Sequence, residues 1–437
     1  MFHLFTELER KEASMELLEK ILDNNNLYLA YEQVYKNKGS AGIDGITVEE
    51  LKLYLYEHKE EIKGLIRQRG YKPLPVKRVE IPKENGKMRQ LGIPVVVDRV
   101  IQQAISQILT PIYEQQFSDS SYGFRPNRSC EMAVVKLLEL MNDGNDWIVD
   151  IDLERFFDTV HHDRLMNIIS RTISDGDVIS LIRKFLVSGV MIQGKYEDTT
   201  LGTPQGGNLS PLLSNIMLNE LDKELETRKL NFVRYADDCL IVVKSEKAAN
   251  RVMTSITTFI EKKLGLIVNA SKSKVAKPSE IKYLGFGFYQ NKQKQYRPIP
   301  HLKSVEKFKR KLKVLLCRRW SVKLDLRLLK LKQLIYGWVN YFKIADMKTL
   351  MRNIDMTIRR KLRVVIWKQW KKTTTKYKNL MKLGISHRDA YVTANANCGY
   401  YHIAHTFVVE KAISKQRLNK SGLVNMLDHF LKVHTVI

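Results

Sequence analysis

The chain has 437 residues, of which 44% are hydrophobic and 27% charged, and this composition fits a globular protein of roughly two to four domains. No run of about 18 apolar residues is present, which argues against a membrane span. The formal net charge of +26 is concentrated at one end, because residues 291–437 hold 34 Lys and Arg against 7 Asp and Glu, whereas the preceding residues hold 39 against 40.

A polyanionic partner is the favoured explanation of this basic third. Phosphate contacts and ring stacking would hold such a partner, and a solvated basic face is the alternative. The aromatic residues that we expect to contribute are Trp320, Trp338, Trp367 and Trp370.

Targeting and redox signals point to the cytoplasm. The N-terminal stretch MFHLFTELERKEAS has acidic residues where a secretory signal would have an apolar core. The cysteines occur singly, which excludes the usual structural zinc patterns and argues against a disulfide framework. Their positions are Cys130, Cys239, Cys317 and Cys398.

Hydrophobic periodicity predicts helices with a hairpin among them in the first part of the chain. A hairpin is predicted in YKPLPVKRVEIPKENGKMRQLGIPV, with Lys83 and Arg89 flanking an Asn85-Gly86 turn. The predicted helices cover residues 12–35, 48–68 and 98–116, and a further one ends near residue 142.

The middle of the chain alternates short apolar runs with helices. WIVDIDLERFFDTV predicts a strand that ends near Leu153, and a glycine-rich loop leads into a helix capped near Ser210. Two paired strands are predicted at residues 230–236 and 239–244, and two helices at residues 163–171 and 177–188.

Beyond residue 300 the pattern predicts long basic amphipathic helices. In LKQLIYGWVNYF the apolar residues recur at helical spacing, so the apolar stripe belongs to a core and the basic side carries the function. The stripe residues are Leu331, Leu334, Ile335, Trp338, Val339 and Phe342, preceded by Val305, Phe308, Leu312 and Leu315. A turn-rich stretch at 371–400 predicts a boundary before a small C-terminal unit.

Asp237 and Asp238 stand side by side within the apolar segment VRYADDCLIVV. Adjacent carboxylates repel and resist burial, so solvent, basic side chains or metal must compensate them. If the strand ending near Leu153 pairs beside this hairpin, Asp152 and Asp237 converge from neighbouring strands.

Carboxylate ligands of this kind suit Mg²⁺, and two ions about 3.5–4 Å apart would serve an in-line displacement by a primer 3′-hydroxyl. Because adjacent strand side chains diverge, we expect Asp237 to be a direct ligand and Asp238 a weaker one. Asp150 lies on the same strand face as Asp152 and is a weaker rival ligand. Taken alone, the four residues YADD would also fit an exposed hairpin tip.

An ordered set of sequence blocks resembles the reverse-transcriptase blocks of bacterial group II intron-encoded proteins, the maturase reverse transcriptases. It is most similar to the compact class without an endonuclease domain. The blocks are IPKENGKMRQLGIP, YGFRPNRS, DIDLERFFD, GTPQGGNLSPLLSNIML, YADD and KYLGFGF, and GWVNYF follows in the helical region.

This resemblance implies a right-hand polymerase of α+β class, with an antiparallel palm sheet and a helical thumb. The implied domains are an N-terminal extension with the start of the fingers (1–70), fingers and palm (71–290), a thumb or maturase domain (291–375), and a small basic C-terminal nucleic-acid-binding domain (376–437).

The resemblance also implies roles for individual residues. Asp152, Asp237 and Asp238 match the metal-binding triad, and Lys83 and Arg89 match fingers residues that contact the incoming triphosphate.

The remaining implied roles surround the nucleotide. Phe157 matches the aromatic gate that selects deoxynucleotides, with core packing as its alternative, and Phe156 is assigned to the core. Gln205 matches a residue near the nucleotide sugar and template. Arg125 matches a contact to template or nucleotide, and a structural salt bridge is its alternative. Lys272 either lines the primer or is solvated.

The implied function is RNA-directed DNA polymerisation with Mg²⁺, joined to maturase activity that promotes intron splicing and to mobility by target-primed reverse transcription. The implied partners are the intron RNA, an RNA template with a DNA primer, dNTPs and target DNA, in a bacterial cytoplasm. The residues expected to contact phosphates are Arg359, Arg360, Lys361 and Arg363.

Three alternatives stay open: a non-enzymatic splicing cofactor, an RNA-dependent RNA polymerase, and a retron or diversity-generating enzyme. The intact aspartates oppose the first, the aromatic residue at 157 opposes the second, and the basic third opposes the last. Two features depart from the wider family. There is no Cys-rich His-Asn-His nuclease segment, and Tyr336 stands where many relatives have arginine.

Overall fold

The computed structural model describes residues 16–82, 86, 88–203 and 206–435. The chain divides into two compact units, Met1–Lys277 and Pro278–Ile437. Among the described ranges, none of the helices combines the length and the apolar character that a bilayer span needs.

The first unit combines helices with two four-stranded sheets. Its helices are α1 (residues 16–22), α2 (Asn24–Asn37), α3 (Leu51–Arg67), α4 (Val96–Glu114), α5 (Cys130–Asn142), α6 (Phe156–Thr159), α7 (His162–Ser170), α8 (Gly176–Leu186), α9 (Ser210–Thr227) and α10 (Glu246–Phe259), which continues as a π-helical turn, Ile260–Leu264. Its strands are β1 (Val76–Pro82), β2 (Met88–Ile93), β3 (Trp147–Ile151), β4 (Val190–Ile192), β5 (Lys195–Glu197), β6 (Asn231–Tyr235), β7 (Asp238–Val243) and β8 (Lys274–Ala276).

The central sheet has the strand order β6-β7-β3-β8, and every neighbouring pair is antiparallel. The second sheet has the order β2-β1-β4-β5, in which β1 and β2 form an antiparallel hairpin and β1 pairs with β4 in parallel. Both the predicted hairpin and the predicted pairing of the strands around the two aspartates are therefore confirmed.

Burial explains why β7 reads as a continuous apolar run. Every residue of β7 after Asp238 is buried, because helices cover the central sheet. Helices α5 and α9 pack on β6, and α10 packs on β3 and β7. One hydrophobic core joins these elements, and it includes Ile151, Ile216 and Ile241. This packing fixes the strand ends at which the polar residues lie.

The second unit consists of one hairpin and a series of helices. The strands are β9 (Phe286–Gln290) and β10 (Tyr296–Pro300). The helices are α11 (Leu302–Leu315), α12 (Leu324–Tyr341), α13 (Lys348–Gln369), α14 (Thr373–Lys382), α15 (His387–Asn395), α16 (Tyr400–Ile403), α17 (Phe407–Ala412), α18 (Lys415–Lys420) and α19 (Met426–Val433), and a short 3₁₀ turn, Pro278–Glu280, precedes them.

The apolar stripe predicted in α12 is confirmed as core. Leu331, Ile335 and Val339 are fully buried, and the ring of Trp338 stacks 4.6 Å from that of Phe308. The expectation of a turn-rich stretch at 371–400 was wrong, because α14 and α15 occupy most of it. The predicted domain boundary after residue 375 lies inside α14, within one compact unit.

Candidate active site

The two acidic segments meet at one edge of the central sheet. Ile151, the last residue of β3, pairs with Cys239 of β7, so Asp152 emerges beside the start of β7. Tyr235 pairs with Asp238, which leaves Ala236 and Asp237 as a two-residue turn between β6 and β7. The fold therefore brings together the strand ends that carry Asp152, Asp237 and Asp238.

Desolvation and, to a smaller extent, neighbouring carboxylates raise the pKa of Asp238 to about 6. Desolvation is the largest cause, since surrounding protein displaces water although part of the residue stays exposed. The neighbouring carboxylates that raise it further are Asp237, Asp150 and Asp152, whereas Lys272 lowers it.

Asp150 belongs to the same electrostatic cluster. Desolvation raises its pKa to about 6, the charge of Asp152 adds to this, and Lys274 opposes it. Asp150 faces Leu240 in β7 and Lys274 in β8. A carboxylate two residues before Asp152 thus adds negative charge to the site, as strand alternation predicts.

Asp152 is held by residues from a loop more than a hundred positions later. The ammonium group of Lys272 donates to both carboxylate oxygens of Asp152, at 2.9 and 3.0 Å. The backbone amide of Asp152 donates to Ser273 Oγ at 3.0 Å, and its carbonyl accepts from the amide of Asn269 at 2.8 Å. Lys272 therefore lies at the carboxylate cluster, which sequence reasoning had left undecided.

The donor set fits a hard divalent cation. Carboxylate oxygens are the ligands Mg²⁺ prefers, and carboxylates that lie close together gain from a nearby positive charge. In the described residues no group of three His, Cys, Asp or Glu side chains is close enough to hold a metal ion. The Lys272 ammonium instead supplies the positive charge at Asp152.

The two adjacent phenylalanines after Asp152 have different environments. The single-turn helix α6 is entered through Arg155, whose φ is +49°. Phe156 is buried in the core, whereas Phe157 is half-buried and lines a cavity of about 230 Å³. The rings meet edge to face at 5.3 Å. Of the two, Phe157 is thus the ring at the open space.

The segment before the glycine-rich block is bound to this helix by its backbone. Thr203 N donates to Phe157 O at 2.6 Å, and Gly202 N donates to Val160 O at 2.8 Å. Gly202 has φ of +89°, and a Cβ there would lie 2.8 Å from Phe157 O, so glycine is required. This segment fixes where Phe157 stands in the cavity wall.

The predicted triphosphate contacts are only partly within the described structure. Lys83 and Gln205 lie outside the described residues. Arg89 is exposed in β2 and faces Ile81. Sequence reasoning missed Arg78, which lines the same cavity as Phe157 and donates to Gln90 Oε1 at 2.9 Å.

Arg125 is placed as a structural residue. It is buried, and its guanidinium group contacts the Glu114 carboxylate, with Nη2 at 3.0 Å. Its Nη1 also donates to the carbonyls of Ser118 at 2.5 Å and Ser121 at 2.8 Å. This geometry supports the salt-bridge alternative, and the expected contact to template or nucleotide is not supported.

The four predicted phosphate contacts in α13 differ in exposure. Arg360 and Lys361 are exposed, and Arg359 is half-buried. Arg363 is buried, pairs with Glu410 and donates to Ile413 O at 3.1 Å, so its predicted role at the surface is corrected. The reason is that Glu410 in α17 and the carbonyl of Ile413, just after α17, are its partners.

One of the four tryptophans expected to stack is enclosed, whereas two tyrosines that were not expected are exposed. Trp367 is 1% exposed and belongs to the core. Tyr400 and Tyr401 are 38% and 58% exposed. Lys361 lies 5.9 Å above the Tyr401 ring, and Arg318 lies 5.5 Å above the Tyr400 ring. Neither tyrosine was singled out from the sequence, because the surrounding helices were not predicted.

Comparison with known proteins gives two family matches. Residues 81–288 match the reverse transcriptase (RNA-dependent DNA polymerase) family, and residues 305–384 match the group II intron maturase-specific domain. The first match contains the carboxylate edge and α6, and it agrees with the α+β fold. The second begins in α11 and ends after α14.

Three curated relatives cover different shares of their own length. Protein YkfC of Escherichia coli is 33% identical over 322 residues, which are 62% of this chain and 84% of that protein. Group II intron-encoded protein LtrA of Lactococcus lactis is 41% identical over 224 residues, 51% of this chain and 37% of LtrA. The putative COX1/OXI3 intron 2 protein of Saccharomyces cerevisiae is 30% identical over 332 residues, 62% of this chain and 38% of that protein. The chain thus spans under two fifths of the latter two.

Among solved structures, a partial Cas6-RT-Cas1--Cas2 complex aligns with 57% of this chain and 43% of the other chain. The TM-score is 0.36 and the sequence identity is 23%. This likeness is too distant to bear on the site.

Proposed function

Because the chain belongs to the group II intron-encoded reverse transcriptases and maturases, we propose that its first unit is an RNA-directed DNA polymerase that works with two Mg²⁺ ions. The observation that carries this proposal is the meeting of Asp152, Asp237 and Asp238 at one edge of the central sheet. These carboxylates would hold the ions. When bound, the ions would activate a primer 3′-hydroxyl and stabilise the departing pyrophosphate.

The protein's own residues orient the nucleotide in this proposal. The cavity beside Phe157 receives the sugar, and the ring excludes a 2′-hydroxyl. Arg89, together with Lys83, contacts the triphosphate, since cations at a hairpin tip can pair with phosphate oxygens. Gln205, which is outside the described residues, is assigned to the sugar and the template by the family resemblance. The reaction joins the primer 3′-oxygen to the α-phosphorus and releases pyrophosphate.

The second unit binds the intron RNA and promotes its splicing in this proposal. The maturase-domain match and the excess of basic residues support it. Arg360 and Lys361 supply phosphate contacts from the solvent side of α13, with Arg359 beside them. Target DNA enters as a partner in target-primed reverse transcription. The bacterial origin of LtrA supports a bacterial cytoplasm as the place of action.

The proposed domain roles follow the same assignment of polymerisation to the first unit and RNA binding to the second. Residues 1–70 form the N-terminal extension with the start of the fingers, 71–290 the fingers and palm, 291–375 the thumb or maturase domain, and 376–437 a basic nucleic-acid-binding region. The main structural boundary, after Lys277, lies close to the proposed end of the palm.

A non-enzymatic splicing cofactor that kept the fold is the rival. Primer extension on an RNA template with Mg²⁺ separates the two, using dNTPs and rNTPs in parallel. Wild type should extend with dNTPs, and Asp237→Ala should lose extension by about 10³-fold or more. Asp143→Ala is the matched control, since Asp143 is exposed at the end of α5 in the same unit. RNA binding without any extension by wild type would favour the cofactor.

Phe157→Ala tests the sugar gate directly. Removing the ring should admit ribonucleotides more readily, because the cavity wall retreats from the position of the 2′-hydroxyl. The measurement is the ratio of kcat/KM for dNTP and rNTP. Phe156→Leu is the matched control, since it trims the neighbouring buried ring and should leave the ratio unchanged. Unaltered selectivity in Phe157→Ala would remove the assigned role.

A further inference from the structure

The turn that presents Asp237 has an unusual backbone. Ala236 precedes Asp237 and has φ of +56°, in the left-handed region that residues with a side chain seldom adopt. Such a conformation persists only where the surroundings enforce it. The contacts that enforce it therefore also determine the direction of Asp237.

A wholly buried arginine holds this turn from one side. Arg234 Nη1 donates to the carbonyl of Ala236 at 2.9 Å and to Asn215 Oδ1 at 3.1 Å. Its Nε and Nη2 donate to the two oxygens of Asp222 at 2.7 and 2.5 Å. Arg234 and Asp222 are both 0% exposed. The guanidinium group is thereby fixed in one orientation.

The loop in YGFRPNRS holds the turn from the other side. A Cβ on Gly123 would lie 2.2 Å from the amide nitrogen of Ala236, so the two backbones touch directly. Asn215 Nδ2 donates to Gly123 O at 2.8 Å. Tyr122 N also donates to Arg234 O at 2.9 Å. Asn215 thus joins the loop to the arginine that holds the turn.

Stability alone does not account for this arrangement. Replacing a buried ion pair by apolar residues of similar volume is often neutral or stabilising. An apolar group, however, could not donate to the Ala236 carbonyl, and only a planar fork reaches an aspartate, an amide and a carbonyl together. The network therefore orients the turn in addition to stabilising the fold.

We propose that Arg234, Asp222 and Asn215 form a positioning network that fixes the Tyr235–Asp238 turn and so orients Asp237 toward its metal ions. This inference rests on the proposed polymerase function. It also gives a role to two sequence blocks, YGFRPNRS and SNIML, that the nucleotide contacts leave unexplained.

Arg234→Lys and Asn215→Ala test the network. The lysine keeps the charge beside Asp222 but cannot reach all three acceptors, and the alanine leaves the Arg234–Asp222 pair intact. Mn²⁺ binding is measured by electron paramagnetic resonance without nucleotide, and primer extension is measured under saturating template. We expect Mn²⁺ affinity to fall about 10- to 100-fold and kcat to fall about 100-fold, with KM for dNTP changed much less.

Ile182→Ala is the matched control for lost stability. Ile182 is fully buried in α8 and belongs to neither β6 nor β7. Its loss should lower the thermal midpoint while Mn²⁺ affinity stays at the wild-type value. Positioning is contradicted if the folded variants keep wild-type Mn²⁺ affinity and kcat, or lose no more than Ile182→Ala does. If Arg234→Lys fails to fold, Asn215→Ala decides.

The same data separate this inference from the proposed function. A wild type that binds Mn²⁺ but extends no primer removes the polymerase assignment, and the Mn²⁺ comparison still decides the network. A wild type that neither binds Mn²⁺ nor extends removes both.

Discussion

The two compact units use their charged residues in different ways. Met1–Lys277 holds 38 Lys and Arg against 39 Asp and Glu, whereas Pro278–Ile437 holds 35 against 8. In the first unit the charges that hold the Tyr235–Asp238 turn are inside the protein, as in the buried pair of Arg234 and Asp222. In the second unit most of the excess lies on the solvent side of amphipathic helices. The net charge of the first unit is near zero, yet some of its charged side chains fix the position of the backbone.

This contrast predicts different responses to the environment. Charges buried against fixed partners are little screened by salt, so substitution and pH should affect the first unit most. Exposed cations that neutralise phosphates release counterions, so salt should affect binding by the second unit most.

Whether a basic residue has a structural role depends on its burial and not on the unit to which it belongs. Arg327 in α12 is fully buried, donates to the carbonyls of Leu315 and Trp320, and lies 4.8 Å from the Trp320 ring. Arg363 in α13 is likewise enclosed. Like Arg234 in the first unit, these two arginines are buried and bind protein groups, although the region around them is strongly basic.

Among substitutions that leave the carboxylates intact, the largest effect is expected from a single methyl group added next to the Tyr235–Asp238 turn. In Gly123→Ala the new Cβ would meet the Ala236 backbone at 2.2 Å, so the turn must shift. Primer extension should fall about 100-fold, as expected for a misplacement of about 1 Å. Gly64→Ala is the matched control, because its new Cβ in α3 would have no atom within 4 Å apart from the neighbouring helix backbone, and a helical alanine is slightly stabilising. Wild-type extension by Gly123→Ala would contradict the close approach.

The next effect is expected at the exposed basic face. Substituting Arg359, Arg360 and Lys361 together by alanine should weaken RNA binding about tenfold and reduce the salt slope by about 0.7–0.9 for each phosphate that is no longer neutralised. The measurement is RNA affinity as a function of salt concentration. A triple alanine variant at the exposed first-unit residues Lys244, Lys247 and Arg251 removes the same charge. Equal losses in both variants would show that total charge, and no particular face, binds RNA.

Arg363→Met sharpens the distinction within one helix. It should lower stability by about 2 kcal/mol, since Glu410 and Ile413 O lose their donor. The salt slope of RNA binding should stay at the wild-type value, in contrast to Arg360→Ala. A reduced slope with unchanged thermal stability would mean that Arg363 faces RNA after all.

The smallest effect is a pH dependence in the first unit. Burial raises the pKa of Asp98 to about 7, although Tyr71 Oη and Leu74 N donate to its carboxyl group. The native state therefore holds a proton that the unfolded chain releases near pH 4, and stability contributed by Asp98 falls as pH rises toward 7.

Asp98→Asn removes this titrating group, because an asparagine side chain does not ionise. The thermal midpoint of wild type, relative to Asp98→Asn, should fall by about 2–4 °C between pH 5 and pH 7 and level off above that. If the difference in thermal midpoint did not change between pH 5 and pH 7, Asp98 would be ionised over that whole range.

Much of the site could be predicted because its signals are local. The apolar run around Asp237 and the run before Asp152 each predict a strand, and adjacency of the two strands was the one assumption required. Both strands and their pairing are confirmed.

The interactions that sequence reasoning missed depend on residues far apart in the chain. Lys272 and Asp152 are 120 positions apart in the sequence, and no periodic pattern predicts a contact between them. Arg363 was misjudged because no helix was predicted at residues 407–412, where α17 supplies its partner Glu410.

The most direct test measures extension and RNA binding on the same two variants, Asp237→Ala and the triple alanine variant at Arg359, Arg360 and Lys361. A separation is predicted: Asp237→Ala loses dNTP extension while its RNA affinity and salt slope stay at wild-type values. The triple variant loses affinity and slope while its kcat at saturating primer and template is retained. If both variants lose both properties in parallel, the two units do not divide chemistry from RNA binding, and the proposed division of labour is wrong.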